Sequence, residues 1–521
     1  MKNKSNLLLL SAIIGGLLFN YLFWNEGTGV NLLVYSIYLL LITAINYKVL
    51  NTSKFKIYGS AHLLVAILVV INNSDLSIVA YYISLLLFIG YSHNQQIRTV
   101  FTAFGAAMLQ MITAPLNGLK NLSEVTIGNF SLKPVFKIIK YIFIPVVIVI
   151  IFTCLYSAAS SVFAHYADAL LTNIFNFLNH IFGFLFKDLS IERAVFFVLG
   201  LVISSGLLLT FFDKTLEQTE LKCKEQLLRI RRSDQQKNIV YIIIHVFSGT
   251  LLNKKLALKT ENINGIISFS ALNALLLLLN IIDVTTLWFG YKPSQSLSAD
   301  LHDGTNALIA SIIIALIVIV YFFRGNLNFY SKSKMLKTLA FAWMIQNCIL
   351  IISVLIRDAF YIEFYGLTHK RIGVIVFAIL CIVGLATVYW KVAKQQTLFY
   401  LFKINGTVWF ALLLAFSSIN WDVLIAKYNL NNDDSVAIDA DYLLSLSDKT
   451  LLILDKNRLK LQYSVSKNYL ERETPKPQTA AIYQKRLDKR IAFFKDRYEK
   501  VSWVSWNLQD WKTAEYFRLE K

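Results

Sequence analysis

Charge is scarce in this 521-residue chain: Asp, Glu, Lys and Arg make up 16% of it, where a soluble globular chain carries about 25%. Hydrophobic residues reach 56%, and the mean hydropathy is +0.55. They gather in long runs, which excludes an ordinary water-soluble enzyme. Proline is rare as well, six in all. No ladder of short alternating segments is present, and that excludes a transmembrane β-barrel. The four cysteines stand singly. Cys154, Cys348 and Cys381 lie inside apolar runs, where a thiol acts as a small hydrophobe, and Cys223 lies in a charged loop. Without a Cys-x-x-Cys pair there is no zinc or disulfide framework to read. The phosphate-cradling G-x-x-x-x-G-K-[ST] loop is missing, so no nucleotide-driven transport resides in this chain. H-E-x-x-H and G-x-S-x-G are missing too. No catalytic set, metal site or cofactor is implied.

Basic residues are the one charge in excess, with a formal net charge of +19. In a soluble protein that would suggest a polyanion. In a membrane protein it marks cytoplasmic loops that face anionic headgroups. No groove-reading motif accompanies it, so membrane lipids, and no nucleic acid, are the expected partners.

A membrane-spanning helix needs about 20 mostly apolar residues. Runs at 7–24, 30–46, 57–71, 78–91, 138–159, 194–212, 263–289, 307–323, 336–356, 372–391 and 398–418 meet or approach that length. The first follows Lys2 and Lys4 but lacks a small-x-small cleavage site, so it reads as an uncleaved span. With the N-terminus inside, Lys48, Lys54, Lys56, Arg98, Lys133, Arg229, Arg231 and Arg232 all fall on the cytoplasmic side. Two weaker runs, 99–114 and 239–252, are expected to be interfacial or re-entrant. Counting the first as a span would put the basic stretch at 214–237 outside.

The expected fold is therefore all-α, a polytopic transmembrane bundle of about eleven spans with a small extracytoplasmic helical tail. Residues 1–91 form a four-span unit, and 92–137 a cytoplasmic segment with an interfacial helix. A two-span hairpin occupies 138–212, a basic cytoplasmic segment 213–262, five spans 263–418 and the tail 419–521. In the hairpin's outer segment His165 and His180 are not at metal-ligand spacing, and a surface-lying helix is expected between them. The tail should hold a helix over 439–454 capped by Asp439 or Asp441. A second, over 480–501, should carry one apolar stripe of Tyr483, Leu487, Ile491, Phe494 and Tyr498. Three tryptophans then lead into a last helix. The tail is too small to bury a large core alone and must dock; it also offers a surface for a protein partner.

Polar groups within the bilayer demand an explanation. By helical rise, Asn280 and Asp283 fall in the outer part of their span, Asp283 roughly 10 Å below the boundary. His302 and Asp303 follow at the outer mouth of the next span, while Arg357 and Asp358 end another on the same side. Asp283 with Arg357 is the expected pair. These six residues could form an outward-facing polar cleft. They could equally be an interhelical ion pair with His302 and Asp303 capping the next helix. Lys403 lies too near the inner boundary to reach Asp283, and is expected to snorkel to the cytoplasmic interface.

The stretches ALNALLLLLNIIDVTTLWFG from Ala271, ADLHDGTNALIASIIIALIVIVYFFRG from Ala299, YGLTHKRIGV from Tyr365, DYLLSLSDKTLL from Asp441 and Ser505-Trp506-Asn507-Leu508 resemble a bacterial family. It is a polytopic inner-membrane family catalogued as a domain of unknown function, the 4173 type, related to the 4153 type. The resemblance implies a multi-pass protein of a bacterial inner membrane and no reaction, ligand or partner. Two unlike functions remain at this level. One is a non-enzymatic sensor, scaffold or envelope component. The other is a secondary transporter using the cleft around Asp283, although no inverted repeat or mid-membrane helix break supports it. An intramembrane enzyme on a lipid-linked substrate is more distant.

Overall fold

The computed structural model describes residues 2–47, 49–123, 152–157, 160–185, 191–209, 215–230, 250–252, 258–289, 297–432, 438–462 and 480–519, with short pieces between 126 and 149. The described chain is α-helical apart from two minimal strand pairs, as composition and periodicity require. Helices α1 (Lys2–Phe23), α2 (Val30–Tyr47), α3 (Ser53–Asn72) and α4 (Asp75–His93) come first, followed by α5 (Val100–Ser123), α6 (Ser161–Leu185), α7 (Ile191–Leu208) and the short α8 (Thr215–Leu221). Next are α9 (Leu258–Asp283), α10 (Leu297–Phe322), α11 (Lys334–Tyr365), α12 (His369–Ala393) and α13 (Leu398–Ser417). Seven helices, α2, α3, α4, α9, α11, α12 and α13, are long and apolar enough to cross a membrane, and shorter apolar stretches lie within α1, α5 and α10.

Local chemistry sets the limits of these helices. Thr52, Ser74, Thr368 and Thr397 cap α3, α4, α12 and α13 through their hydroxyls, and Ser74 forms a reciprocal box with Ser77. Asn73 ends α3 in the left-handed region at φ 41°, a conformation asparagine tolerates better than most residues. The third and fourth spans gain the length their apolar cores lacked by running into these polar flanks.

The spans pack as two bundles. In the first, α1–α4 and α7 share Leu22, Leu39, Val65, Phe88 and Leu207. Gly16 and Gly200 let α1 and α7 approach closely, since a Cβ on Gly16 would strike Leu201 and one on Gly200 would strike Phe19. In the second, α9–α12 share Phe269, Ile319, Trp343, Leu350 and Leu385. Helix α13 belongs to both, with Leu413 and Leu414 against the first core and Leu401 in the second. Leu41, Ile45, Ile57, Leu275, Ile317 and Ile345 point outward from these bundles. So much exposed apolar surface is untenable in water and suits hydrocarbon.

The run at 99–114 forms most of α5, which crosses α4 obliquely. Ala103 packs against Gly90, yet seven residues on, Gln110 meets His93, the last residue of α4, at 2.9 Å. Gln110 also donates to Gly206 O near the end of α7. Helix α5 thus lies across the end where α2, α4 and α7 finish. The run at 138–159 lies mostly outside the described residues. So does 239–252, except that Thr250–Leu252 pairs in parallel with Leu228–Ile230.

Two expectations need correction. Helix α10 starts at Leu297, so His302 and Asp303 lie within the helix rather than at its cap position. The single helix expected over 439–454 is three short turns, α15 (Ala440–Leu443), a 3-10 turn at Asp448–Thr450 and α16 (Leu451–Lys456). Asp439 does cap the first, accepting from Tyr442 N at 3.0 Å. Leu443, Leu444, Leu446, Leu451 and Leu454 stay buried across the break, which falls where Ser447 N leaves the helical pattern and donates to Asp422 Oδ2 at 3.1 Å. Arg490 stabilises the break by donating to Leu444 O and Leu446 O, each at 2.7 Å.

With α14 (Trp421–Asn431), α17 (Ala480–Lys500) and α18 (Leu508–Tyr516), these turns make a helical cap. The expected stripe on α17 is its buried face: Tyr483, Leu487, Ile491, Phe494 and Tyr498 join the cap core, together with Leu367 and Ile372 of the second bundle. The cap docks on one end of both bundles. Val30 N donates to Trp506 O at 3.1 Å, Gln509 to Ile71 O at 3.1 Å, and Asn429 exchanges bonds with Leu367 N and O at 2.6 and 3.0 Å. Gly29 permits the first contact, because a Cβ there would collide with the backbone carbonyls of Ser505 and Trp506.

Candidate functional site

The expected polar residues divide into two groups. Asp283 and Arg357 meet at 2.6 Å between α9 and α11, with the Asp283 side chain 3% exposed. Asp283 is the last α-helical residue before a π-helical turn at Val284–Trp288, whose Trp288 indole donates to Ser353 Oγ at 3.1 Å. Further along the same helix pair, Asn280 donates to Gln346 O at 3.1 Å, Gln346 to Asn273 Oδ1 at 2.9 Å, and Asn273 to Leu339 O at 3.0 Å. A polar ladder therefore stitches α9 to α11. Asp358 is buried one residue beyond Arg357, and its Oδ2 has no hydrogen-bond partner. His302 and Asp303 lie in α10, and their side chains are outside the described residues. Lys403 is at the other end of the bundle, 2.6 Å from Glu225.

The second group lies under the cap; sequence reasoning placed His369 at the outer face but did not join it to Asp422 or Tyr442. His369, the first residue of α12, places Nε2 2.9 Å from Asp422 Oδ1 on α14 and Nδ1 3.1 Å from the Tyr442 hydroxyl on α15. The same hydroxyl accepts the His369 backbone N–H at 3.0 Å, and Asp422 Oδ2 accepts Ser447 N at 3.1 Å. Burial raises the Tyr442 pKa against the opposing bond from His369 N, so the phenol remains a donor.

This cluster stands at the mouth of a cavity of ≈ 950 Å³ on the seam between the two bundles. Val79 of α4, Phe377 and Leu380 of α12, and Trp409, Leu412 and Phe416 of α13 form its apolar depth. Ser74, Asp75, His369, Asp422, Tyr442 and Ser447 form its polar end beneath the cap. Gly373 faces the cavity, and a Cβ there would meet nothing within 4 Å. A volume of this order is that of a ligand site. Apolar in depth and polar at one end, it matches an amphiphile. Neither Asp283 nor Arg357 lines it.

Beside it, and sharing Asp75, is a polar chamber of ≈ 480 Å³ between the cap and the loops that join α1 to α2 and α3 to α4. Glu26 and Asp75 stand on the bundle side, and Lys449, Arg497, Lys500 and Asp510 on the cap side. Asp510 is held at 2.9 Å by Lys449 and at 3.0 Å by Asn507. Burial opposes ionisation of Asp510, but Lys449, Asn507 and Arg497 outweigh it and lower its pKa. A carboxylate with a depressed folded pKa stabilises the fold above its unfolded value of about 3.9 and loses that contribution as pH falls through the folded value. Protease accessibility of the cap should therefore rise steeply below about pH 4, and Asp510→Asn should flatten that rise. A wild-type acid profile identical to that of Asp510→Asn would refute the assignment.

No metal-competent group of three His, Cys, Asp or Glu side chains occurs among the described residues. No curated protein and no solved structure matches the chain. The model of the family described as "Domain of unknown function (DUF4153)" matches residues 59–457, through both bundles and into the cap. It is the 4153 type, rather than the 4173 type, that the match supports, and the chain belongs to the DUF4153 family.

Proposed function

We propose that this protein is a non-enzymatic component of a bacterial inner membrane, with its N-terminus cytoplasmic and its cap outside, which holds one membrane amphiphile in the seam cavity. The observation that carries the reading is the seam cavity, with walls of bundle side chains and a polar roof supplied by the cap. An amphiphile seated there touches both bundles, α13 and the cap at once, as a sensor or lipid-dependent scaffold requires. The orientation rests on charge: Lys54, Arg98, Lys224 and Lys403 gather at the end away from the cap. Both ring nitrogens of His369 are engaged, one by Asp422 and one by Tyr442, which favours a structural imidazole over one poised for acid–base work. A transport path around Asp283 has less support, since its carboxylate is buried against Arg357.

The test is Gly373→Trp. Gly373 opens on the cavity without a close neighbour, and tryptophan recovers part of the roughly 1 kcal/mol by which glycine is disfavoured against alanine in a helix. The variant should fold at least as well as wild type while obstructing the cavity. Native mass spectrometry should find one lipid retained by the wild type and its loss from Gly373→Trp at unchanged thermal stability. Equal lipid retention by both proteins would overturn the reading.

A further inference from the structure

The chamber beside the cavity has opposed charges. On the bundle side are Glu26, in the loop after α1, and Asp75, the first residue of α4; on the cap side are Lys449, Arg497 and Lys500, with Asp510 among them. The cap-side cations are unequally satisfied. Lys449 is committed to Asp510. Lys500 pairs with Asp496 on an open helix face, where both side chains are largely exposed, a geometry of little net worth. Arg497, whose side chain is 40% exposed, lies over the Phe494 ring with Nη2 3.4 Å from Asp448 and 3.7 Å from Asp510. That nitrogen is buried and makes no hydrogen bond. A buried guanidinium nitrogen in that state favours an added acceptor. On the opposite wall, Asp75 is exposed and lines both the chamber and the cavity.

We infer that the two spaces hold one ligand, a zwitterionic phospholipid, with its acyl chains in the cavity and its headgroup in the chamber. Its phosphate oxygens accept from Arg497 and Lys500, and its ammonium group donates toward Asp75 and Glu26. The headgroup thereby bridges cap and bundle. A purely anionic headgroup would satisfy the cap side and meet repulsion from the two carboxylates. A neutral one would leave Arg497 as it is. The inference rests on the reading of the cavity as an amphiphile site and adds the headgroup class to it.

The full-length protein is exchanged into detergent with equimolar phosphatidylethanolamine, phosphatidylglycerol and diacylglycerol of the same chains, and retained lipid is read by native mass spectrometry. Phosphatidylethanolamine should be retained over each competitor by about tenfold, the effect of one charge-assisted hydrogen bond. Arg497→Gln with Lys500→Gln should abolish its advantage over diacylglycerol without releasing lipid from the cavity. Asp75→Asn, an exposed change that leaves the Ser74 cap in place, should raise phosphatidylglycerol relative to phosphatidylethanolamine. Thermal unfolding of each variant identifies any that fails to fold, and Lys500→Gln alone, at an exposed position, then carries the cation arm with a smaller loss in the same direction. Equal retention of all three lipids by wild type overturns the headgroup assignment and leaves the amphiphile reading standing. Retention of none overturns both. Binding of soluble phosphoethanolamine by Gly373→Trp after lipid is lost would make the ligand a free solute and overturn the lipid assignment.

Discussion

Asp283→Ala should destabilise the purified protein by about 3–5 kcal/mol, because it leaves the Arg357 guanidinium buried opposite an apolar cavity. The pair is close, at 2.6 Å, and both side chains are shielded. Breaking such a pair from one side costs far more than replacing it whole. Asp283→Leu combined with Arg357→Met should therefore recover most of the loss. The readout is thermal unfolding in detergent, followed by near-ultraviolet dichroism. If Asp283→Ala unfolds at the wild-type temperature, the pair does not hold α9 to α11. If the double variant is as unstable as the single one, the loss comes from the π turn beside Asp283 rather than from the stranded charge.

The second large effect belongs to the cap. Phe494 is fully buried on α17 and stacks on Tyr498 at 5.8 Å between ring centroids. Phe494→Ala should cost about 3–5 kcal/mol from the lost apolar burial and the cavity left behind. The cap core is small, so the loss should appear there first, as protease cleavage within the cap while the bundles keep their helical dichroism. Phe493, its exposed neighbour in sequence, supplies the control: Phe493→Ala should change cap cleavage little. Equal protection of the Phe494→Ala and wild-type caps would show that α17 is not anchored by this stripe.

The two sites differ in how visible they are in the sequence. The α17 stripe is legible because its period matches a helix with one buried face, and the surrounding Lys and Arg leave only one way to turn it. Asp283 and Arg357 are legible because a charge inside an apolar run has few partners at its own depth. The cluster of His369, Asp422 and Tyr442 is not legible. Its members come from three short elements, brought together by a cap whose docking no periodicity encodes. A local signal existed in Asn420 followed by Asp422, a cap and a first-turn acid that mark the start of α14, but nothing in it pointed to His369. The break within 439–454 was hidden for another reason. Its leucines project onto one face and read as one helix, while Asp422 and Arg490, which satisfy the interrupted backbone, lie elsewhere in the chain. The cavity itself is a property of the seam, where α13 packs on both bundles and leaves α4 and α12 apart, and spacing along the chain does not report it.

Electron cryomicroscopy of the full chain in lipid nanodiscs tests the amphiphile site most directly. The account predicts elongated density running between α4 and α12 along Trp409 and Phe377, ending in a headgroup beneath Asp75 and Arg497. A seam closed by direct packing of α4 on α12, with no space left along Trp409, would contradict it.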